Sequence, residues 1–373
     1  MRTAACLAVA SVFFVNGAVL ANWVARIPEV QQRLGLSNGA LGVALLGTAV
    51  GALLAMPTTG WLVARLGSSP VTKIAALAYC GALPLLALAP DLPLLALALV
   101  VFGALNGAMD VAMNAQGIAV ERLYSRPIMS SFHGMFSVGG IAGAAGGGIL
   151  ASLGVNPFPH LLGAALLLGM VAVVASRQLL PACVDSVTTG PLLALPTRSL
   201  IKLGIVAFCV MLGEGAIADW SGVYLRRTLE TGPGLAAAGY AVFSLTMAVC
   251  RLTGDRLAQS LGSVRMVRLG GIVAATGLGL SLVIAQPIAA LIGFAIVGVG
   301  FSCIVPLVFS AAGRTPGIAP SLALAAVTTT GYFGFLFGPP LIGFAADFLT
   351  LRVALGIVVV MSAISAVLAG TVR

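Results

Sequence analysis

The stretch Leu94–Gln116, LLALALVVFGALNGAMDVAMNAQ, decides the fold class of this chain. It is long enough to carry an α-helix across a hydrocarbon core of about 30 Å, and no Lys or Arg interrupts it. Asn106, Asp110 and Asn114 recur every four positions, so they share one stripe of that helix. Facing lipid, the stripe would be costly: an acid at mid-bilayer costs about 2.5–3.5 kcal/mol on insertion scales. The stripe is therefore expected to face other helices or a wet cavity.

Eleven more apolar blocks flank this one, at roughly 4–26, 38–57, 71–89, 131–153, 160–176, 201–222, 235–253, 267–285, 288–311, 321–347 and 353–371. The 373 residues are 60% hydrophobic and 8% charged, against about 25% charged in soluble domains. That excludes a water-soluble enzyme and leaves an all-α polytopic membrane protein with twelve transmembrane helices. The opening run after Arg2 imitates a signal peptide, but Asn16, Asn22 and Arg26 lead directly into another span, so it reads as a retained first helix.

The net charge of +9 reads as topology. With the N-terminus in the cytoplasm, only Arg26, Arg33, Arg226, Arg227 and Arg352 of the 19 Lys and Arg residues fall outside, leaving 14 inside. This is the positive-inside asymmetry; it predicts two cytoplasmic termini and gives no reason to expect nucleic acid as a partner. Cys6, Cys80, Cys209, Cys250 and Cys303 lie in or beside apolar spans, and Cys183 lies in a loop. They read as small packing residues, with no CxxC pair, no metal set and no cofactor motif.

One long hydrophilic connector, 177–200, carries Pro181, Asp185, Pro191, Pro196 and Arg198. It is expected to be a cytoplasmic linker between a six-helix bundle over 1–176 and another over 201–373. Gly67, Gly139, Gly143 and Gly148 recur 195 residues later as Gly262, Gly334, Gly338 and Gly343. Asn16-Gly17 and Asn22-Trp23 echo Glu214-Gly215 and Asp219-Trp220. Shared spacing and span number predict a parallel six-plus-six repeat.

These features resemble the major facilitator superfamily along the whole chain. Gly60-Trp-Leu-Val-Ala-Arg65-Leu-Gly67 is similar to that family's G-x-x-x-D-R-x-G loop, with Ala64 in place of the acid. Its counterpart is Arg251-Leu-Thr-Gly254-Asp255-Arg256. Asn22-Trp23-Val-Ala-Arg26-Ile-Pro28, Asp110-Val-Ala-Met-Asn114, Phe132-His133-Gly134 and Glu214-Gly-Ala-Ile-Ala-Asp219-Trp220-Ser221 resemble the subgroup of the rhizopine-associated membrane protein MosC. The resemblance implies the major facilitator fold, transport by alternating access, and a mild lean toward a polyol, amino-polyol or sugar-like substrate.

Four acids interrupt apolar spans: Asp110, Glu214, Asp219 and Asp347; mid-span Lys or Arg is absent from the spans as drawn. The Asn106–Asp110–Asn114 stripe reads as a substrate- or proton-binding wall, or as a polar seam between helices. Glu214, near the middle of its span, is the leading protonation switch, because apolar surroundings disfavour the charged form of a carboxyl group. A neutral helix–helix hydrogen bond is its alternative role. Asp219 reads as a ligand or as a partner of Arg26 or Arg226, and His133 as a proton relay or a satisfied interfacial histidine. Asn16 and Asn22 offer amides to substrate hydroxyls or to neighbouring helices. Trp23 and Trp220 read as interface anchors or as apolar walls over a substrate ring. Arg26, Arg65, Arg251, Asp255, Arg256 and Asp347 are gating charges or, for the arginines, topology signals. The glycine ladders Gly139–Gly143–Gly147 and Gly334–Gly338 read as packing faces and hinges between the halves.

No Walker A sequence is present, so a self-contained ATP-driven pump is excluded. The expected function is a proton-coupled secondary transporter in a bacterial inner membrane, monomeric, moving a small neutral or cationic molecule. Proton-driven efflux of hydrophobic or cationic compounds is the alternative. An intramembrane enzyme built on His133 with Ser130 or Ser131 lacks recognisable spacing, and a sensor derived from a transporter is the remaining class.

Overall fold

The computed structural model describes residues 2–124, 128–181, 200–318 and 320–372, with backbone only at 130, 252–259, 320 and 321. The described chain is helical, with no strand. In order, the helices are α1 (Arg2–Val24), α2 (Ile27–Arg33), α3 (Asn38–Leu66), α4 (Ser68–Leu88), α5 (Leu92–Glu121), α6 (Met129–Ser152) and α7 (Pro157–Ser176). There follow α8 (Ile201–Val223), extended by a π-turn at Tyr224–Thr228, then α9 (Pro233–Leu261), α10 (Ser263–Ile284), α11 (Pro287–Phe301), α12 (Ile304–Gly313), α13 (Pro320–Phe348), α14 (Leu351–Ala354) and α15 (Gly356–Val367). Twelve helical stretches are long and apolar enough to cross a membrane, and many large apolar side chains on them are exposed, among them Leu166, Leu280 and Val283. Such exposure is favourable only against lipid.

Several helices run past the sequence-derived boundaries. α3 reaches Leu66 rather than 57, α5 reaches Glu121 rather than 116, and α9 continues ten residues beyond Arg251. Hydropathy marks where lipid stops, not where backbone hydrogen bonding stops. Local chemistry sets the true ends. Gly67 and Gly262 precede α4 and α10 with φ of 82° and 80°, a left-handed geometry that suits glycine. Asp91 caps α5 by accepting from the Leu94 amide at 3.0 Å.

The contacts divide the chain into two units, Met1–Leu34 with Gly47–Thr189, and Gly35–Leu46 with Gly190–Arg373. The first is called unit 1 and the second unit 2. α3 thus begins in unit 2 and continues in unit 1. In unit 1, α1 packs most extensively on α6; in unit 2, α8 packs on α13. Glycine makes both contacts possible. A Cβ on Gly139 would strike the Phe14 carbonyl, and one on Gly334 the Phe208 carbonyl. Phe14 and Phe208 are 194 residues apart, Gly139 and Gly334 195. The second pair of helices repeats the rule: Gly103 meets the Thr48 carbonyl, and Gly298 the Phe243 carbonyl at 2.6 Å from its Cβ position.

Two expectations are corrected here. Gly139, Gly143 and Gly147 face α1 and its following turn, and Gly334 and Gly338 face α8, so these ladders close contacts inside each unit and are not hinges between the halves. By that offset of 194 residues, Ile217 is the repeat equivalent of Trp23, and Arg26 that of Trp220. The Trp23–Trp220 match is therefore off by about one helical turn. Sliding a helix by three or four residues keeps the same face, so a short polar pattern does not distinguish the two registers; backbone contacts at glycine do.

Candidate functional site

In unit 1 the polar stripe forms as the spacing requires. Asn106, Asp110 and Asn114 lie half-buried on α5. Asn16, buried on α1, donates from Nδ2 to Asn106 Oδ1 at 3.2 Å. Asn114 Nδ2 donates to Asp110 Oδ1 at 3.0 Å and to the Asp110 carbonyl at 2.8 Å. This row presents amide donors and acceptors with one carboxylate, a set suited to hydroxyl groups. His133, half-buried on α6, meets Phe13 edge-on with ring centroids 5.2 Å apart.

Asn22 and Arg26 form a separate cluster. Asn22 donates to the Ala18 carbonyl at 2.7 Å and bonds His160 through Oδ1 at 2.7 Å. Arg26 is fully buried in the turn between α1 and α2. It donates from Nε to His160 Nδ1 at 2.8 Å and from Nη1 to Glu29 at 2.5 Å. These are its partners within unit 1. His160 went unremarked in the sequence because it opens the sixth span beside two prolines. A buried arginine in an apolar chain demands nearby acceptors, and that demand is the signal that finds it.

In unit 2, Glu214 and Arg251 face each other across α8 and α9. Glu214 Oε1 lies 3.6 Å from Arg251 Nη2, with both side chains about one-fifth exposed. Arg251 Nε donates to the Ser302 carbonyl at 3.3 Å, while Glu214 Oε1 is buried without a hydrogen bond. Tyr240, on α9, hydrogen-bonds Ser244 and lies within electrostatic reach of Glu214, Asp219 and Arg251. Arg251 is thus a cation well inside a long helix. It closes the apolar part of α9, Pro233–Arg251, and the helix continues past it to Leu261.

Asp219 is half-buried on α8 and, among the described residues, forms no ion pair with Arg226, which donates to the Thr231 carbonyl at 2.6 Å. Trp23 and Trp220 are 2% and 0% exposed. Neither anchors at an interface nor forms a wall open to a ligand in this conformation. Arg65 is exposed, with its guanidinium 4.3 Å over the Trp61 ring. The side chains of Asp255, Arg256 and Ser130 lie outside the described residues, as do Cys183 and most of the 177–200 connector.

Asp347 accepts from Ser37 Oγ at 2.8 Å and from the Asn38 and Gly39 amides at 2.9 Å each. These amides open α3, so the carboxylate at the end of α13 satisfies orphan donors and meets the positive end of the helix. Beside it lies a cleft of about 290 Å³ lined by Arg227, Thr228, Thr350 and Leu351. Arg33 and Arg352 do the converse work, donating to the last carbonyls of α4 (Ala87 and Ala89) and α10 (Leu282 and Val283). These two cations stabilise helix ends.

A family model described as Major Facilitator Superfamily matches residues 5–319. An uncharacterized MFS-type transporter of Yersinia pestis is 40% identical over 349 residues, covering 94% of this chain and 91% of its own length. Membrane protein MosC of Rhizobium meliloti is 35% identical over 363 residues, covering 96% and 88%. The solved structure of nucleoside transporter NupG superposes with a TM-score of 0.73 at 15% identity, covering 98% of this chain and 97% of that one. At that identity the likeness is one of fold.

Proposed function

Since this chain belongs to the Major Facilitator Superfamily and is a multi-pass membrane transporter, we propose that it works as a proton-coupled secondary carrier for a small neutral or cationic, hydroxyl-bearing molecule. The Glu214–Arg251 pair carries this reading. Its carboxylate and guanidinium are close enough to attract, yet Glu214 Oε1 accepts no hydrogen bond. A proton on Glu214 removes that attraction and leaves Arg251 with the Ser302 carbonyl alone. Protonation thereby changes how α8 holds α9, which is what a carrier needs to tie a proton to a change of access.

The unit 1 row of Asn16, Asn106, Asp110 and Asn114 is the proposed substrate wall. Its amides match hydroxyls in both directions of hydrogen bonding. Arg251 is offset by Glu214, so this pair presents no net cation that would select an anion. Asp219 and His133 are secondary proton sites in this proposal, and Asp347 holds the start of α3 in one of the two access states. Lys and Arg asymmetry supports cytoplasmic termini in a bacterial inner membrane, and the missing ATP motif assigns the driving force to an ion gradient.

Proteoliposomes with an imposed pH gradient test the proposal against polyols, amino-polyols, sugars, nucleosides and hydrophobic cations. A hydroxylated compound is expected to accumulate only with the gradient. Glu214→Gln is expected to abolish accumulation while retaining exchange. Normal accumulation by that variant would remove Glu214 from coupling. Proton flux stimulated by hydrophobic cations alone would replace the substrate assignment with efflux of such compounds.

A further inference from the structure

The Arg26–His160–Asn22 chain has no task in the carrier scheme above, yet all three of its side chains are buried. Arg26 is 0% exposed, and its Nη2 is buried with no hydrogen-bond partner. The bonds run in one direction. The Arg26 Nε–H donates to His160 Nδ1, the opposite ring nitrogen contacts Asn22 Oδ1, and Asn22 Nδ2 donates to the Ala18 carbonyl. A guanidinium has donors only, so His160 Nδ1 must offer a lone pair. The Asn22 atom that meets the ring is its carbonyl oxygen, which can only accept, so His160 Nε2–H is the donor. The geometry therefore demands a neutral histidine with its proton on Nε2.

We propose that His160 is a proton-binding site of unit 1, forming a latch that protonation opens. A proton added at Nδ1 takes up the lone pair that Arg26 uses. It turns an acceptor into a donor facing a donor, and sets two cations side by side in a buried site. Only the Arg26 bond is lost, because Nε2–H still reaches Asn22. What loosens is the tie between the start of α7 and the α1–α2 turn.

The surroundings leave the proton few other destinations. The α1–α2 turn supplies Arg26 and Glu29, and Glu29 is already bound to Arg26 Nη1. From α6, Gly147 faces the ring: a Cβ there would lie 3.3 Å from His160 Cε1. Arg26 is the charged group bonded to the ring, and Lys73 is the ionisable cation of α4. The other histidine, His133, is near the far end of α6. The latch stands on these contacts alone. Its use in coupling transport to protons rests on the carrier reading, so the test below needs no substrate and no flux.

The chain has two histidines, so ¹⁵N-histidine labelling of the protein in bilayers resolves both, and a His133→Gln sample assigns them. At about pH 8, above the ordinary histidine range near 6.5, His160 is expected to show a bare Nδ1 and a protonated Nε2. An Nδ1–H tautomer or an imidazolium at that pH overturns the proposal. On acidification to about pH 4, Nδ1 is expected to gain its proton. Amide exchange at 22–30, corrected for its intrinsic pH dependence, is expected to rise about tenfold, the worth of one hydrogen bond. In His160→Gln the side-chain carbonyl still accepts from Arg26 and the amide still donates to Asn22, so that rise should vanish. An equal rise in His160→Gln also overturns the latch. If the variant does not fold, the tautomer in the unmodified protein decides.

Discussion

Unit 1 and unit 2 share a backbone plan and differ in what they bury. Their helices meet at the same glycine positions, Gly139 with Gly334 and Gly103 with Gly298, because close helix approach tolerates no side chain there. The polar cargo between those contacts has diverged. Unit 1 places amides and one carboxylate in short hydrogen bonds, whereas unit 2 places a carboxylate and a guanidinium at 3.6 Å. One contact pair shows the divergence at single-residue scale. Gly51 lets α3 press against the Val100 carbonyl, while 195 residues later Thr246 fills the gap and its hydroxyl donates to the Ala295 carbonyl at 2.8 Å. The lesson is that repeat symmetry governs scaffold contacts, while the polar residues between them are where the units differ.

The comparison breaks most severely if Glu214→Gln leaves gradient-driven accumulation intact, since the polar difference between the units would then have no functional weight. Complete loss of accumulation is expected, read as substrate concentration in proteoliposomes. Next in size is the scaffold. Gly139→Val and Gly334→Val are each expected to destabilise by about 1–3 kcal/mol or to prevent folding, from overpacking, while Gly146→Ala, with open space around it, is tolerated. Detergent thermal midpoints check this, and unequal effects at the two matched glycines would weaken the shared-scaffold claim.

The unit 2 pair is sharpened by a cycle. Arg251→Ala alone strands Glu214 and is expected to cost about 1–3 kcal/mol; adding Glu214→Gln should recover much of that stability without restoring coupling. Smallest is the hydrogen-bonded row. Asn16→Ala removes one bond to Asn106, worth about 0.5–1.5 kcal/mol, and is expected to raise KM more than it lowers kcat. A pure loss of kcat with unchanged KM would contradict a binding role for the row.

Much of this was legible in the linear chain. The helix count, the membrane class and the polar stripe of α5 followed from block length and four-residue spacing, because lipid imposes both. Glu214 stood out as an acid in an apolar run. Arg251 closes the apolar segment of α9, and the helix continues to Leu261 because backbone hydrogen bonding does not stop where apolar patterning does. Arg26 stood out as a charge at the end of the first span, but its bonds to His160 and Glu29 depend on which helix lies beside it. Asp347 looked like a gate charge, and its bonds to the first amides of α3 bridge some three hundred residues of chain.

By itself, the sequence determined which segments must leave water, how many cross the membrane, and which acids demand an explanation there. Those are properties of each segment against its solvent. The partners of buried charges, the register of the repeat and the grouping of the start of α3, residues 38–46, with unit 2 were decided by tertiary structure. Each depends on which helix lies beside which, and a helix presents the same face at every turn until a neighbour fixes one.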